Sequence, residues 1–277
     1  MVSEGEEAVI EKRSTIFKVD LVRIILIAVF LTFAAYFVYY FEENTNFDPN
    51  YGVTVYLGIW SINSRLLFFV LYTLLFTSVC LNKFHNYYTS GFYKTIAVRI
   101  GYSEFVKKSI VSVIKNTLCF VIITNVLLLI MTHLFWSNIS LGPQYAEPIF
   151  SDNTILNLGG FLLFSTIGSV VYSVFLLICI PIFKNKYVFQ LFTLVYTILS
   201  IYLGLIIMTG MFPLALIFRS RTITEVIAYS ISPVNLLIPG MMFESYGLHN
   251  AVPCIIVYSL VARSIYKYLL QREYENG

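Results

Sequence analysis

The stretch VSVIKNTLCFVIITNVLLLIMTHLF, residues 111–135, carries a single formally charged side chain, Lys115. About twenty consecutive apolar residues are enough to carry a helix across the hydrocarbon core of a bilayer, and this run exceeds that length. Five further runs of the same kind lie on either side of it, at approximately 21–41, 65–81, 155–180, 188–210 and 252–270. The run at 65–81 is the shortest, and YLGIWSIN just upstream would extend it, leaving Arg65 to snorkel to the interface. Composition agrees with the runs. Apolar residues make up 58% of the chain and charged residues 12%, against roughly 45–50% and 25% in soluble domains. A soluble fold runs out of interior before it hides so much apolar surface. The sequence therefore predicts an all-α integral membrane protein of six transmembrane helices, forming one domain over 1–277.

The bases orient it. Of the 18 lysines and arginines, all but Arg65, Arg219 and Arg221 fall on one side of such a six-span arrangement. They precede the first span (Lys12, Arg13, Lys18, Arg23), lie between spans two and three, join spans four and five (Lys184, Lys186), or close the chain (Arg263, Lys267, Arg272). The opposite loops carry Glu42, Glu43, Asp48, Glu147 and Asp152 without a base. An excess of Lys and Arg marks the cytoplasmic side, so both termini are expected there. The start, MVSEGEEAVIEKRSTIFK, is too acidic for a secretory signal, and the first apolar run is expected to be retained as a span.

Several chemistries have no residues to carry them. GFYKT at 91–95 ends like a phosphate-binding loop but lacks the preceding glycine cradle. His85, His133 and His249 stand far apart without a paired acid or cysteine, and neither H-E-x-x-H nor G-x-S-x-G occurs. Cys80, Cys119, Cys179 and Cys254 fall singly in apolar runs and read as small buried side chains. A formal charge of +3 is too small to argue for nucleic acid. Apart from Asp20, Arg23 and Arg65 near span edges and the bases already counted on the cytoplasmic side, the span interiors hold no ionisable group of the kind an ion-coupled transporter uses as a relay. Asn125, Asn157 and Gln190 suit hydrogen bonding between helices. No enzyme activity, metal or cofactor is expected in this chain.

Two segments do not fit the pattern of plain spans and loops. Residues 82–110 combine bases with FHNYY and FYK, whose rings favour the headgroup level. A short helix is expected over 83–91, with span three beginning near Ser103 as N-cap and Glu104 in the first turn. Such a basic loop also attracts anionic membrane lipid. Residues 211–251 are apolar but interrupted by Pro213, Arg219, Arg221, Glu225, Pro233 and Pro239 before any part can span. They read as short helices lying on or dipping into the outer leaflet. A seventh span there would place the C-terminal bases outside, against the loop charges.

With these residues placed, the chain resembles the membrane permease subunits of ABC-2-type exporters, a bacterial plasma-membrane family that includes bacteriocin-immunity, antibiotic-resistance and peptide-toxin exporters. Gly91, Lys94, TIAV, Arg99 and SEFVKKS are similar to the order found in the family's cytoplasmic coupling segment, and ISPVNLLIPG at 231–240 is similar to its outer segment. The resemblance implies an amphipathic entry segment over 1–20, re-entrant outer helices between spans five and six, and a permease dimer. It also implies two copies of a separate ATP-binding cassette subunit that binds ATP and Mg. The coupling interface would use His85, Tyr87, Tyr88, Gly91, Lys94 and Arg99. Arg219, Arg221, Glu225 and Pro233 would shape the outer segment or gate. The acid that usually precedes the family's glycine is absent, with Tyr87, Tyr88 and Thr89 in its place, so aromatic packing would replace a salt bridge. An amphipathic peptide, toxin or drug-like molecule would suit the substrate role, with toxin or lantibiotic-immunity export the preferred case. A non-transporting immunity, sensor or assembly protein and a secondary transporter stand as alternatives.

Overall fold

The computed structural model describes residues 20–42, 52–60, 66–135, 153–208, 221–239 and 248–276; residues 1–19, Arg65 and Arg219 lie outside these. The described chain is helical, without a strand. In chain order the helices are α1 (Leu21–Glu42), α2 (Gly52–Trp60), α3 (Leu66–Thr89), α4 (Phe92–Ile100), α5 (Tyr102–Phe135), α6 (Thr154–Cys179), α7 (Lys186–Met208), α8 (Arg221–Ile231), α9 (Val234–Leu237) and α10 (Leu248–Asn276). Four helical stretches, Leu67–Thr89, Tyr102–Phe135, Thr154–Ile182 and Lys186–Ile207, are long and apolar enough to cross a membrane, and α1 adds the apolar stretch Leu21–Phe37. Length and composition make this a membrane-embedded helical protein.

The packing pattern is that of a fold whose solvent is lipid. On α1, Val22, Leu26, Phe30, Phe33 and Phe37 form an exposed stripe, while Ile24, Ala28, Leu31 and Ala35 turn inward toward α3 and α5. Both stripes repeat every three to four residues, the period that keeps side chains on one helix face. The interior instead collects hydroxyls and amides. Thr73, Thr77, Ser109, Thr117, Thr124, Ser169, Thr193 and Thr197 are all buried. In lipid there is no aqueous surface to exile such groups to, so they serve as contacts between helices. Many satisfy themselves within their own helix: Thr73 donates to the Phe69 carbonyl, Thr77 to that of Thr73, and Ser109 to that of Phe105. Others bridge, as Thr77 with Thr193 at 3.2 Å and the Tyr172 hydroxyl with Thr197 at 2.9 Å.

An aromatic column runs through the centre from Trp60 through Tyr72 to Phe76, which meets both Phe120 and Tyr172, with contacting ring centroids 5.0–6.1 Å apart. It corrects one expectation. If YLGIWSIN merely extended α3, Trp60 and Tyr72 would lie about 18 Å apart along one axis, at 1.5 Å per residue. Their rings are 5.0 Å apart, so α2 is a separate helix folded back alongside α3 and α5. The Tyr56 hydroxyl reaches the Asn125 side chain, which ties α2 to α5 as expected of an interhelical amide. Gln190 likewise donates to Asn82, at 3.4 Å, and Asn157 is fully buried on α6. Cys80, Cys179 and Cys254 are buried free thiols and Cys119 is a half-buried one.

Asparagines open two of the long helices. Asn153 accepts from the amides of Ile155 and Leu156 ahead of α6, and Asn185 accepts from that of Tyr187 ahead of α7. These bonds satisfy first-turn donors that have no partner within the helix.

Candidate functional site: the α4 surface and the broken helix α8–α9

The first site is built at the end of the bundle where α3 finishes. Helix α3 does not stop near residue 81 but continues unbroken to Thr89. The separate short helix follows Gly91 instead of ending there, a correction to the expected helix over 83–91. The polar residues of NKFHNYYT remain helical because leaving the apolar layer removes hydrophobic side chains from the pattern, not backbone hydrogen bonds from the helix. Gly91 (φ 72°) and Gly101 (φ 83°, ψ 144°) then turn the chain on either side of α4. Helix α5 starts at Tyr102 behind Gly101, so Ser103 falls in the first turn, not at the cap. Glu104 is in that first turn as expected, paired at 3.5 Å with exposed Lys108.

Gly91 lies close to the left-handed region that Asn tolerates, whereas Gly101 lies near the extended positive-φ region that is essentially glycine-only. We expect Gly91→Asn to be nearly neutral and Gly101→Asn to cost about 1–3 kcal/mol, read as the shift in thermal unfolding of the detergent-solubilised protein. Equal effects at the two positions would contradict this geometry.

Helix α4 is two-sided. Tyr93, Ile96, Ala97 and Ile100 are half-buried against the bundle, while Phe92, Lys94, Thr95, Val98 and Arg99 are exposed. Val98 is 87% exposed. None of its residues is fully buried, so an aromatic clasp must hold it. Tyr88 lies 4.7 Å from Tyr93 and 6.0 Å from Phe105, Tyr93 lies 6.4 Å from Phe105, and Tyr87 lies 5.8 Å from Phe92, all between ring centroids. Phe105 is fully buried beneath this cluster.

The residues singled out in the sequence thus separate into three kinds. Tyr87 and Tyr88 are half-buried parts of the clasp, Gly91 is the turn, and Lys94 and Arg99 stand on the free face of α4. His85 is different: it is 1% exposed, its Nε2 lies 3.0 Å from the Phe183 carbonyl, and its ring stacks on Phe189. It ties α3 to the turn before α7 and presents no ring to a partner. Sequence reasoning missed Tyr93, Phe105 and Val98. The spacing 93, 96, 97, 100 is the signal that would have given the buried face.

A polar ladder crosses the bundle nearby. The Arg23 guanidinium donates to the Ser78 carbonyl and hydroxyl at 3.2 and 3.0 Å, Asn82 donates to the same hydroxyl at 3.4 Å, and Gln190 to Asn82. It joins α1, α3 and α7 close to where α4 is attached.

The second site is the break between α8 and α9. Pro233 cannot donate a backbone hydrogen bond, and the helix interrupted there leaves carbonyls to satisfy. Tyr258 of α10 donates to the Ile231 carbonyl at 2.8 Å, Cys254 to that of Ser232 at 3.2 Å, and Asn235 to that of Tyr229 at 3.0 Å. Pro233, Val234, Asn235, Leu236 and Leu237 are all buried. Irregular backbone is tolerated at membrane depth only when enclosed by protein in this way. The enclosing contact on the other side is Gly168, midway along α6, where an added Cβ would overlap the Leu236 carbonyl. Of the four residues expected here, Glu225 is half-buried on α8 and Pro233 sits at the break; the Arg221 side chain and all of Arg219 lie outside the described residues.

No grouping of three or more His, Cys, Asp or Glu able to hold a metal ion occurs among the described residues. Comparison with protein-family models, curated proteins and solved structures found no match to this chain.

Proposed function

We propose that the chain is the permease subunit of an ATP-driven exporter of the ABC-2 type, with six spans and both termini cytoplasmic in a bacterial plasma membrane. The observation that carries this reading is α4. It is a short amphipathic helix bounded by two glycines and clasped to the ends of α3 and α5, with Lys94, Val98 and Arg99 turned away from the fold. Such a helix has the properties needed to receive force from a second protein: a free mixed basic and apolar face, and an aromatic attachment to the ends of two long helices. Helix α3 extends from that attachment for about 36 Å at 1.5 Å per residue, so a push on α4 reaches the aromatic column at Tyr72 and Phe76. The buried break at Pro233 further supports re-entrant helices between spans five and six.

On this reading two cassette subunits bind ATP and Mg, and a second permease copy or a homologue completes the pathway. Closure of the ATPase pair moves α4, and through α3 the bundle alternates its access or releases substrate laterally. An amphipathic peptide, toxin or drug-like molecule is the proposed cargo. The decisive experiment is co-purification with any candidate cassette ATPase found encoded beside this gene. Wild type should retain it, and the double variant Val98→Asp, Arg99→Glu should lose at least about tenfold of that retention, equal to about 1.4 kcal/mol, while its unfolding temperature stays unchanged. Wild-type protein that is functional without any such subunit would overturn the proposal in favour of an immunity, sensor or assembly role.

A further inference from the structure

A groove of about 300 Å³ lies between α5, α6 and α10, walled by Ile110, Val170, Val174 and Ile178 and by Ser259 and Arg263. We propose that it binds one anionic phospholipid, with the phosphate at Arg263 and an acyl chain laid along the valines.

Three features point to this ligand. The walls are apolar except at one end, and no acidic side chain lines them. The groove is also ordered along its length. On α6 the residues Ile178, Val174 and Val170 follow one another a turn apart toward mid-helix, and on α10 Arg263 stands one turn beyond Ser259 in the direction of the α4 end. Tyr266 lines both this groove and the small neighbouring cleft that reaches Tyr88 and Tyr102. The charge therefore sits at the bundle end that carries α4 and the groove becomes apolar toward the bundle middle, which is the polarity of a lipid molecule in its own leaflet. Helix α10 starts about 22 Å before Arg263 at 1.5 Å per residue. A core is about 30 Å thick, so the long Arg263 side chain would snorkel the remaining distance to the interface at the α4 end. Basic pockets between transmembrane helices on the cytoplasmic side recognise anionic headgroups in this manner. The lipid site rests on the proposed topology only for the leaflet named, not for its charge preference, and not at all on export.

The test uses full-length protein reconstituted in vesicles of equal phosphatidylglycerol and phosphatidylcholine, then analysed by native mass spectrometry for retained lipid. Wild type should retain phosphatidylglycerol about fivefold over phosphatidylcholine, the preference one arginine beside a headgroup supplies. Arg263→Ala should abolish the preference and Arg263→Lys should keep it. Val174→Trp, which fills the groove, should lose both lipids. No preference in wild type, or a preference indifferent to Arg263→Ala, overturns the proposal. So does displacement by inorganic phosphate alone, which would make the ligand a free anion, or a dimer that Val174→Trp dissociates, which would make the occupant a second copy. Because Arg263 is exposed, its variants should fold, and unchanged unfolding temperatures check this.

Discussion

Replacing Gly168 by alanine should cost a net of about 2 kcal/mol of stability and release the segment around Leu236. The added Cβ would overlap the Leu236 carbonyl, with the α-carbon of that residue almost as near. A flexible side chain in that place would move aside at little cost. Here the obstacle is backbone, held by the Asn235 bond to the Tyr229 carbonyl and by the Ile238 amide bonding to the Val234 carbonyl. Overpacking a fitted core costs about 1–3 kcal/mol and occasionally more. The better helix propensity of alanine returns up to about 1 kcal/mol, so the clash must prevail for the net loss to appear. Gly159, on the same helix, has nothing within 4 Å of the place an added methyl would take. Gly159→Ala should be neutral or slightly stabilising, because only the propensity gain remains. Reversible unfolding of both variants, with hydrogen exchange over 229–238, reads the contrast. Equal stability of the two variants would mean that α9 does not rest on α6.

Why that glycine matters was invisible in the sequence, whereas the helix containing it was plain. Long apolar runs must become helices in lipid, because no other open structure satisfies the backbone there, and this placed six helices to within a few residues at most ends. The same signal fails once the chain leaves the apolar layer. Helix α3 continues through His85, Tyr87 and Tyr88 although hydropathy falls, and the helix starting at Gly52 folds back although hydropathy reads as a straight continuation. Direction and contact are tertiary facts, set by Trp60 meeting Tyr72 and by Leu236 meeting Gly168. The candidate site divides in the same way. Lys94 and Arg99 were legible as bases outside the spans. His85 was a reasonable surface candidate from its polar neighbours, and only the packing of Phe183 and Phe189 shows it to be internal.

Phe105→Ala should loosen α4 more than any other part of the molecule. A fully buried phenylalanine replaced by alanine costs about 3–5 kcal/mol in a typical core. This ring, however, divides its contacts between the bundle and the two tyrosines that clasp α4. Part of the loss therefore falls on the local equilibrium by which α4 lifts away, and since α4 buries no residue completely, little else opposes that opening. Amide exchange over 92–100 should quicken by about tenfold to a hundredfold, equivalent to about 1.4–2.8 kcal/mol. Phe120→Ala removes an equally buried ring from the central column and should lower overall stability without selectively exposing 92–100. If α4 is the transmitting element, Phe105→Ala should also retain the ATPase while uncoupling its hydrolysis from transport, because the partner still finds Lys94, Val98 and Arg99 on a helix that no longer moves α3. Binding without coupling separates this outcome from loss of the partner surface, where binding itself fails. Unchanged exchange in 92–100 would show instead that the half-buried face of Tyr93, Ile96, Ala97 and Ile100 suffices to hold α4, and that the aromatic clasp is not what joins it to the spans.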